Sequence, residues 1–132
     1  MADARPDVAK QSYRALVVED DPAIRRLVEK LLARLGIAID VAADGRIAIE
    51  KLRTNTYSVL ILDLMIPELD GFEIIEFLKR EKLRVPVAVV SAVSQQALTR
   101  LDLDIVKLVI SKPFDVGEFT KAIVGLCEES AE

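Results

Sequence analysis

The chain has no histidine among its 132 residues. A mechanism that needs its own imidazole base, imidazole metal ligand or phosphohistidine is therefore excluded, and serine-hydrolase triads and ordinary zinc sites go with it. Cysteine is almost absent as well. The single Cys127 cannot form an internal disulfide, which points to a reducing, cytoplasmic setting, and a half-buried, unreactive helix position is expected for it. No apolar run approaches the roughly 18 residues that span a bilayer. The opening stretch MADARPDVAKQS lacks the apolar segment of a secretory signal, so no membrane association is expected. Positive charge is not in excess, with 18 Lys and Arg against 22 Asp and Glu. Nucleic-acid binding wants a basic stripe, and no direct DNA binding is expected. Internal linkers and low-complexity segments are missing too.

What is present is one domain. Hydrophobic residues make up 52% and charged residues 30% of the chain, a globular balance. The folded domain is expected over residues 13–127, with 1–12 a flexible N-terminal extension and 128–132 a C-terminal tail. "YRALVV" (13–18) reads as a strand, and Pro22 opens a helix whose Ile24, Leu27, Val28, Leu31, Leu32 and Leu35 share one face until Gly36 ends it. The unit then repeats. Strands are expected over 37–42, 58–62, 85–91 and 107–111. Helices are expected over 45–53 (capped by Asp44), 71–81, 95–103 with weak patterning, and from 115 onward. Five strands alternating with five helices imply a mostly parallel sheet covered on both faces. The natural arrangement is an α/β flavodoxin-like (βα)5 doubly wound fold with strand order 2-1-3-4-5.

In such a sheet, ligands sit beyond the carboxyl ends of the strands, where the strand order reverses. The first strand delivers Glu19, Asp20 and Asp21 there, the third Asp63, the fourth Ser91 and the fifth Lys112. Asp63 stands out, because in "LILDLMIPELDG" (60–71) it closes an otherwise apolar strand. Crowded carboxylates repel one another, and burial raises their pKa values. A hard divalent cation relieves that conflict, and oxygen ligands of this kind suit Mg²⁺. With Lys112 on the other side, the pocket has a place for an incoming phosphoryl group. Asp63 can then act as nucleophile and become an aspartyl phosphate, with Ser91 hydrogen-bonding a phosphoryl oxygen. Plainer roles are expected for other residues. Asp21 reads as the cap before Pro22, Asp70 and Gly71 as turn and helix-start residues, and Arg25, Arg26, Lys30, Arg34, Lys79 and Arg80 as solvated helix faces.

"LVVEDDPAIRRLVEKLL", "VLILDLMIPELDGFEIIEFLK", "VVSA" and "ISKPF", in that order and each at a strand end, resemble the receiver domain of two-component response regulators. The resemblance spans about residues 13–127. It implies that Asp63 is the phosphoacceptor, that Asp20 binds Mg²⁺ directly and Glu19 through water, and that the Met65 backbone carbonyl is a further metal ligand. It places Ser91 at the family's Ser/Thr switch position and Lys112 at its lysine. The implied donor is a phosphohistidine on a sensor histidine kinase or histidine phosphotransfer protein, with a downstream protein target and no enzymatic role beyond the domain's own phosphoryl transfer and dephosphorylation. A stand-alone receiver is the expectation, with a receiver excised from a longer protein the alternative.

Two departures bear on output. Val109 occupies the position where the family usually has an aromatic, and Ile105-Val106 replaces its small Gly-Ala pair. The face of the fourth helix, fifth strand and fifth helix is therefore unusual, and a pseudo-receiver that binds proteins without phosphate is the competing reading. A metabolite phosphatase is disfavoured because Asp63-Leu64-Met65 is no D-x-D pair. Flavin binding is disfavoured because Glu19-Asp20-Asp21 would repel a flavin phosphate.

Overall fold

The structure, a computed structural model, describes residues 13–92 and 95–131. The strands are β1 (Arg14–Val18), β2 (Ala38–Ala42), β3 (Val59–Leu62), β4 (Val87–Ser91) and β5 (Val106–Ser111). The helices are α1 (Pro22–Arg34), α2 (Gly45–Thr54), α3 (Gly71–Arg80), α4 (Gln95–Leu98) and α5 (Val116–Ala131). All paired strands run parallel, in the order β2-β1-β3-β4-β5, as the alternation of apolar runs requires. The expected N-terminal extension, 1–12, lies outside the described residues.

Successive strand side chains point to opposite faces, and here both faces are covered. Leu16, Val18, Leu60, Leu62, Val87 and Val89 pack into one cluster with Ala48 and Leu52 of α2 and Ile74, Phe77 and Leu78 of α3. Ala15, Val17, Val59, Ile61, Ala88 and Val90 join Val28, Leu31 and Leu32 of α1 and Phe119, Ile123 and Cys127 of α5. That double coverage explains why β3 and β4 are continuous apolar runs instead of alternating ones. Each fully buried Leu, Ile or Phe contributes about 1.5–3 kcal/mol, so these two layers hold the sheet rigid beneath its carboxyl-end rim.

Local signals set the helix starts. Asp21 accepts from the Ala23 and Ile24 amides, Asp44 caps α2 through Ile47, and Asp70 with Glu73 forms a capping box. Gly36, at φ 78°, takes the left-handed conformation just past α1. Three expectations change. α4 is a single turn, Gln95–Leu98, where a helix over 95–103 was expected; only Leu101 of the following turns is buried, too little apolar surface to hold a longer helix. α5 runs on to Ala131, so residues 128–131, expected as a tail, are helical. Cys127 is fully buried, not half-buried, because α5 presses that face into the α1 layer.

Candidate functional site

The sheet ladder carries on for one residue past the strands and sets the positions of the polar groups. The Glu19 amide bonds the Ala42 carbonyl at 3.1 Å, the Asp63 amide the Val18 carbonyl at 3.0 Å, and the Lys112 amide the Ser91 carbonyl at 3.2 Å. Three of these side chains are therefore drawn inward. Glu19 is 4%, Asp63 7% and Ser91 4% exposed, and they are the buried polar residues among those described. Asp20 is exposed.

Each polar atom of the buried set has a partner. One Asp63 oxygen, Oδ1, accepts from Ser91 Oγ at 2.8 Å and from the Met65 amide at 3.1 Å. The other, Oδ2, accepts from Lys112 Nζ at 2.9 Å, and the same ammonium reaches Glu19 Oε1 at 2.7 Å. Glu19 Oε2 accepts from the Asp21 amide at 3.1 Å. Burial pushes the Glu19 carboxyl above its usual range, and neighbouring Asp63 adds to this, while hydrogen bonds from Lys112 and the Asp21 amide pull the other way. Burial alone would lower Lys112; its hydrogen bonds to Glu19 and Asp63 outweigh that, and its pKa is raised. Lys112 thus bridges two carboxylates, Glu19 and Asp63.

Carboxylate oxygens of Glu19, Asp20 and Asp63 lie within 4.8 Å of one another. One ammonium facing three carboxylates leaves the cluster short of positive charge, and an all-oxygen donor set of this kind fits a hard divalent cation. The structure therefore brings Glu19, Asp20, Asp63, Ser91 and Lys112 together from four strands. Met65 enters through its backbone, and the residue as a whole is 68% exposed. Sequence reasoning missed two contributors. The Met65 amide that holds Asp63 leaves no side-chain signature. Arg25, expected on a solvated face, donates through its guanidinium to the Glu19 carbonyl at 2.9 Å; its place one turn into α1, six residues after Glu19, was the available signal. The volume at the opposite end of the sheet, a hollow of about 470 Å³ lined by Leu83, Pro86, Ile105 and Leu126 among others, carries none of these groups.

Comparison with known proteins agrees with this geometry. The chain is 33% identical, over a 135-position alignment that covers 95% of its length and 52% of the relative's, to the alkaline phosphatase synthesis transcriptional regulatory protein SphR of Synechococcus elongatus. It is 30% identical over 118 residues, 89% of its length and 49% of the relative's, to the corresponding regulator PhoP of Bacillus subtilis. The chain thus spans about half the length of these curated relatives. Among solved structures, the receiver domain of Francisella response regulator 1452 superposes with a TM-score of 0.84 at 28% identity, covering 90% of this chain and 99% of that one. The response regulator TrrA of Thermotoga maritima, solved in complex with Mg²⁺-BeF, superposes with a TM-score of 0.77 at 27% identity, covering 86% and 98%. No helix among the described residues is long and apolar enough to cross a membrane. The family model for the response regulator receiver domain matches residues 15–124, nearly the whole of the folded sheet and its helices, and the chain belongs to that family.

Proposed function

We propose that this receiver accepts its phosphoryl group on Asp63, from a phosphohistidine on a histidine kinase or phosphotransfer protein, and thereby switches its contacts with a downstream protein. The observation that carries the reading is the setting of Asp63. It is a buried carboxylate held by Lys112 and Ser91 beside two further acids, an arrangement that stability alone does not call for. In the transfer, an Asp63 oxygen forms the new O–P bond as the P–N bond to the donor imidazole breaks, and the bonding pair leaves on the ring nitrogen. Lys112 meets negative charge on the equatorial oxygens, and the Ser91 hydroxyl turns from Asp63 to a phosphoryl oxygen. Glu19, Asp20, Asp63 and the Met65 carbonyl would hold Mg²⁺, which would supply the remaining positive charge there. Arg25 and the Asp21 amide keep the Glu19 backbone and carboxylate in place.

The direct test is incubation with acetyl phosphate and Mg²⁺, followed by intact-mass measurement. One phosphoryl group is expected on the wild type and none on Asp63→Asn. A wild-type mass that stays unmodified would reject phosphoacceptor chemistry in favour of a protein-binding module that works without it.

A further inference from the structure

We infer that Gly45, on a helix that supplies no group to the site, is a positioning residue for the loop that follows Asp63. This inference rests on the reading of Asp63 above. Among the described residues the positive-φ glycine is Gly36, so neither Gly45 nor Gly71 owes its identity to backbone conformation. Both are places where a side chain would collide with backbone. A Cβ on Gly45 would overlap the Leu69 carbonyl oxygen and come within 2.8 Å of its carbonyl carbon. A Cβ on Gly71 would lie 2.6 Å from Leu64 Cα and 3.0 Å from the Asp63 carbonyl oxygen. The loop from Leu64 to Leu69 is thus gripped on one side by the first residue of α2 and on the other by the first residue of α3.

The grip is polar as well as steric. The Gly45 amide, one of the donors that a helix start leaves without an intrahelical partner, donates to the Pro67 carbonyl at 3.2 Å. The Gly71 amide donates to the Leu64 carbonyl at 3.0 Å. Between these anchors Glu68 sits at φ 69°, a left-handed conformation that an ordinary residue adopts only when its surroundings hold it there. The same loop carries Met65, whose amide holds Asp63 Oδ1. A displacement that starts at Gly45 therefore has a short backbone path, through Leu69 and Pro67, to the atoms that orient the acceptor carboxylate.

The test compares Gly45→Ala with Gly36→Ala. Gly36 has open space around it, so that substitution strains the chain remote from the site and controls for lost stability. Urea unfolding, Mg²⁺ calorimetry, acetyl phosphate labelling and the metal-free amide resonance of Met65 are measured on each. Gly45→Ala is expected to move the Met65 resonance and to weaken Mg²⁺ binding roughly tenfold, the scale seen when outer partners of metal ligands are altered. Labelling is expected to slow by roughly ten- to a hundredfold, as a misplacement of about 1 Å does. Gly36→Ala should lower stability and leave the site readouts unchanged. If Gly45→Ala does not fold, Pro67→Gly loosens the other side of the same contact without adding an atom, and the same shifts are expected at smaller amplitude. A folded variant with wild-type Met65 resonance, Mg²⁺ affinity and labelling would overturn the inference. Failure of the wild type to bind Mg²⁺ or to label would instead overturn the proposed function, and the metal-free Met65 resonance would still decide on the brace.

Discussion

The inner strands of the sheet and its β5 edge are built differently. Every residue of β3 and β4 is buried, and β1 is buried beyond its first residue. On the far edge, β5 is buried only at Val106 and leaves Lys107, Val109 and Ser111 exposed, next to an α4 that is one turn long. The acids Glu19, Asp20 and Asp63 follow the strands of the tight side, whereas Ser91 and Lys112 stand on the seam, where Ser91 pairs with Ser111 and the Lys112 amide bonds the Ser91 carbonyl. The contrast separates two demands. Phosphoryl chemistry needs preorganised groups that do not shift, while a signal needs an element that can move at little cost. Ser91 and Lys112 touch Asp63 from the seam, which makes them the physical link between the halves.

The sharpest break in this picture comes from Lys112→Ala. Glu19 and Asp63 would face each other with no cation between them, and metal-free stability should fall by about 3 kcal/mol, as for other buried pairs that lose one partner. Mg²⁺ should restore part of that loss and still bind, because its carboxylates remain, while the spectroscopic response to beryllofluoride is lost. Urea unfolding with and without Mg²⁺ measures the first effect, and equal loss of metal binding and response would contradict the division of roles.

The next effect is smaller and probes the tight side through α5. Burial, then neighbouring Glu128, raises the Cys127 thiol to about 11. The fold thus favours the neutral thiol. Its contribution is complete below the ordinary value of 9.0 and is lost as pH rises through about 11, an upper bound of about 2–3 kcal/mol. The difference in unfolding free energy between wild type and Cys127→Ala should narrow across that window; a flat difference would mean the thiol is less enclosed than its packing indicates.

Smallest in energy is Val109→Tyr. Val109 is 39% exposed on the edge strand, so stability should change by no more than about 0.5 kcal/mol and labelling of Asp63 should be unchanged. The beryllofluoride-induced spectral change along β5 should grow, as an aromatic at this position gives the loose side more to reposition. A slowed labelling rate would show that the two sides are less separable than the burial pattern implies.

Much of this was legible in the residues. The apolar runs of β1, β3 and β4, the one-faced pattern of α1 and the caps at Asp21, Asp44 and Asp70 act over a few neighbouring residues, and each element followed. So did the gathering of Glu19, Asp20, Asp63, Ser91 and Lys112, because a parallel sheet delivers every strand's last residues to one rim. The short α4 was less legible, since its length depends on how much apolar surface the sheet covers beyond Leu98, and Leu101 is the one residue buried there before β5 begins. Arg25 looked like its solvated neighbours because nothing in a helix pattern marks a guanidinium that folds back to a carbonyl.

By itself the sequence determined the alternation of strand and helix, the order of the sheet and the set of acids at its rim, since hydrophobic periodicity and capping are local and crossover handedness leaves few topologies. Tertiary structure alone decided that Lys112 bridges Glu19 and Asp63, that the Met65 amide holds Asp63, and that Gly45 presses on Leu69. Those contacts join residues from separate elements over distances that only the packed layers set.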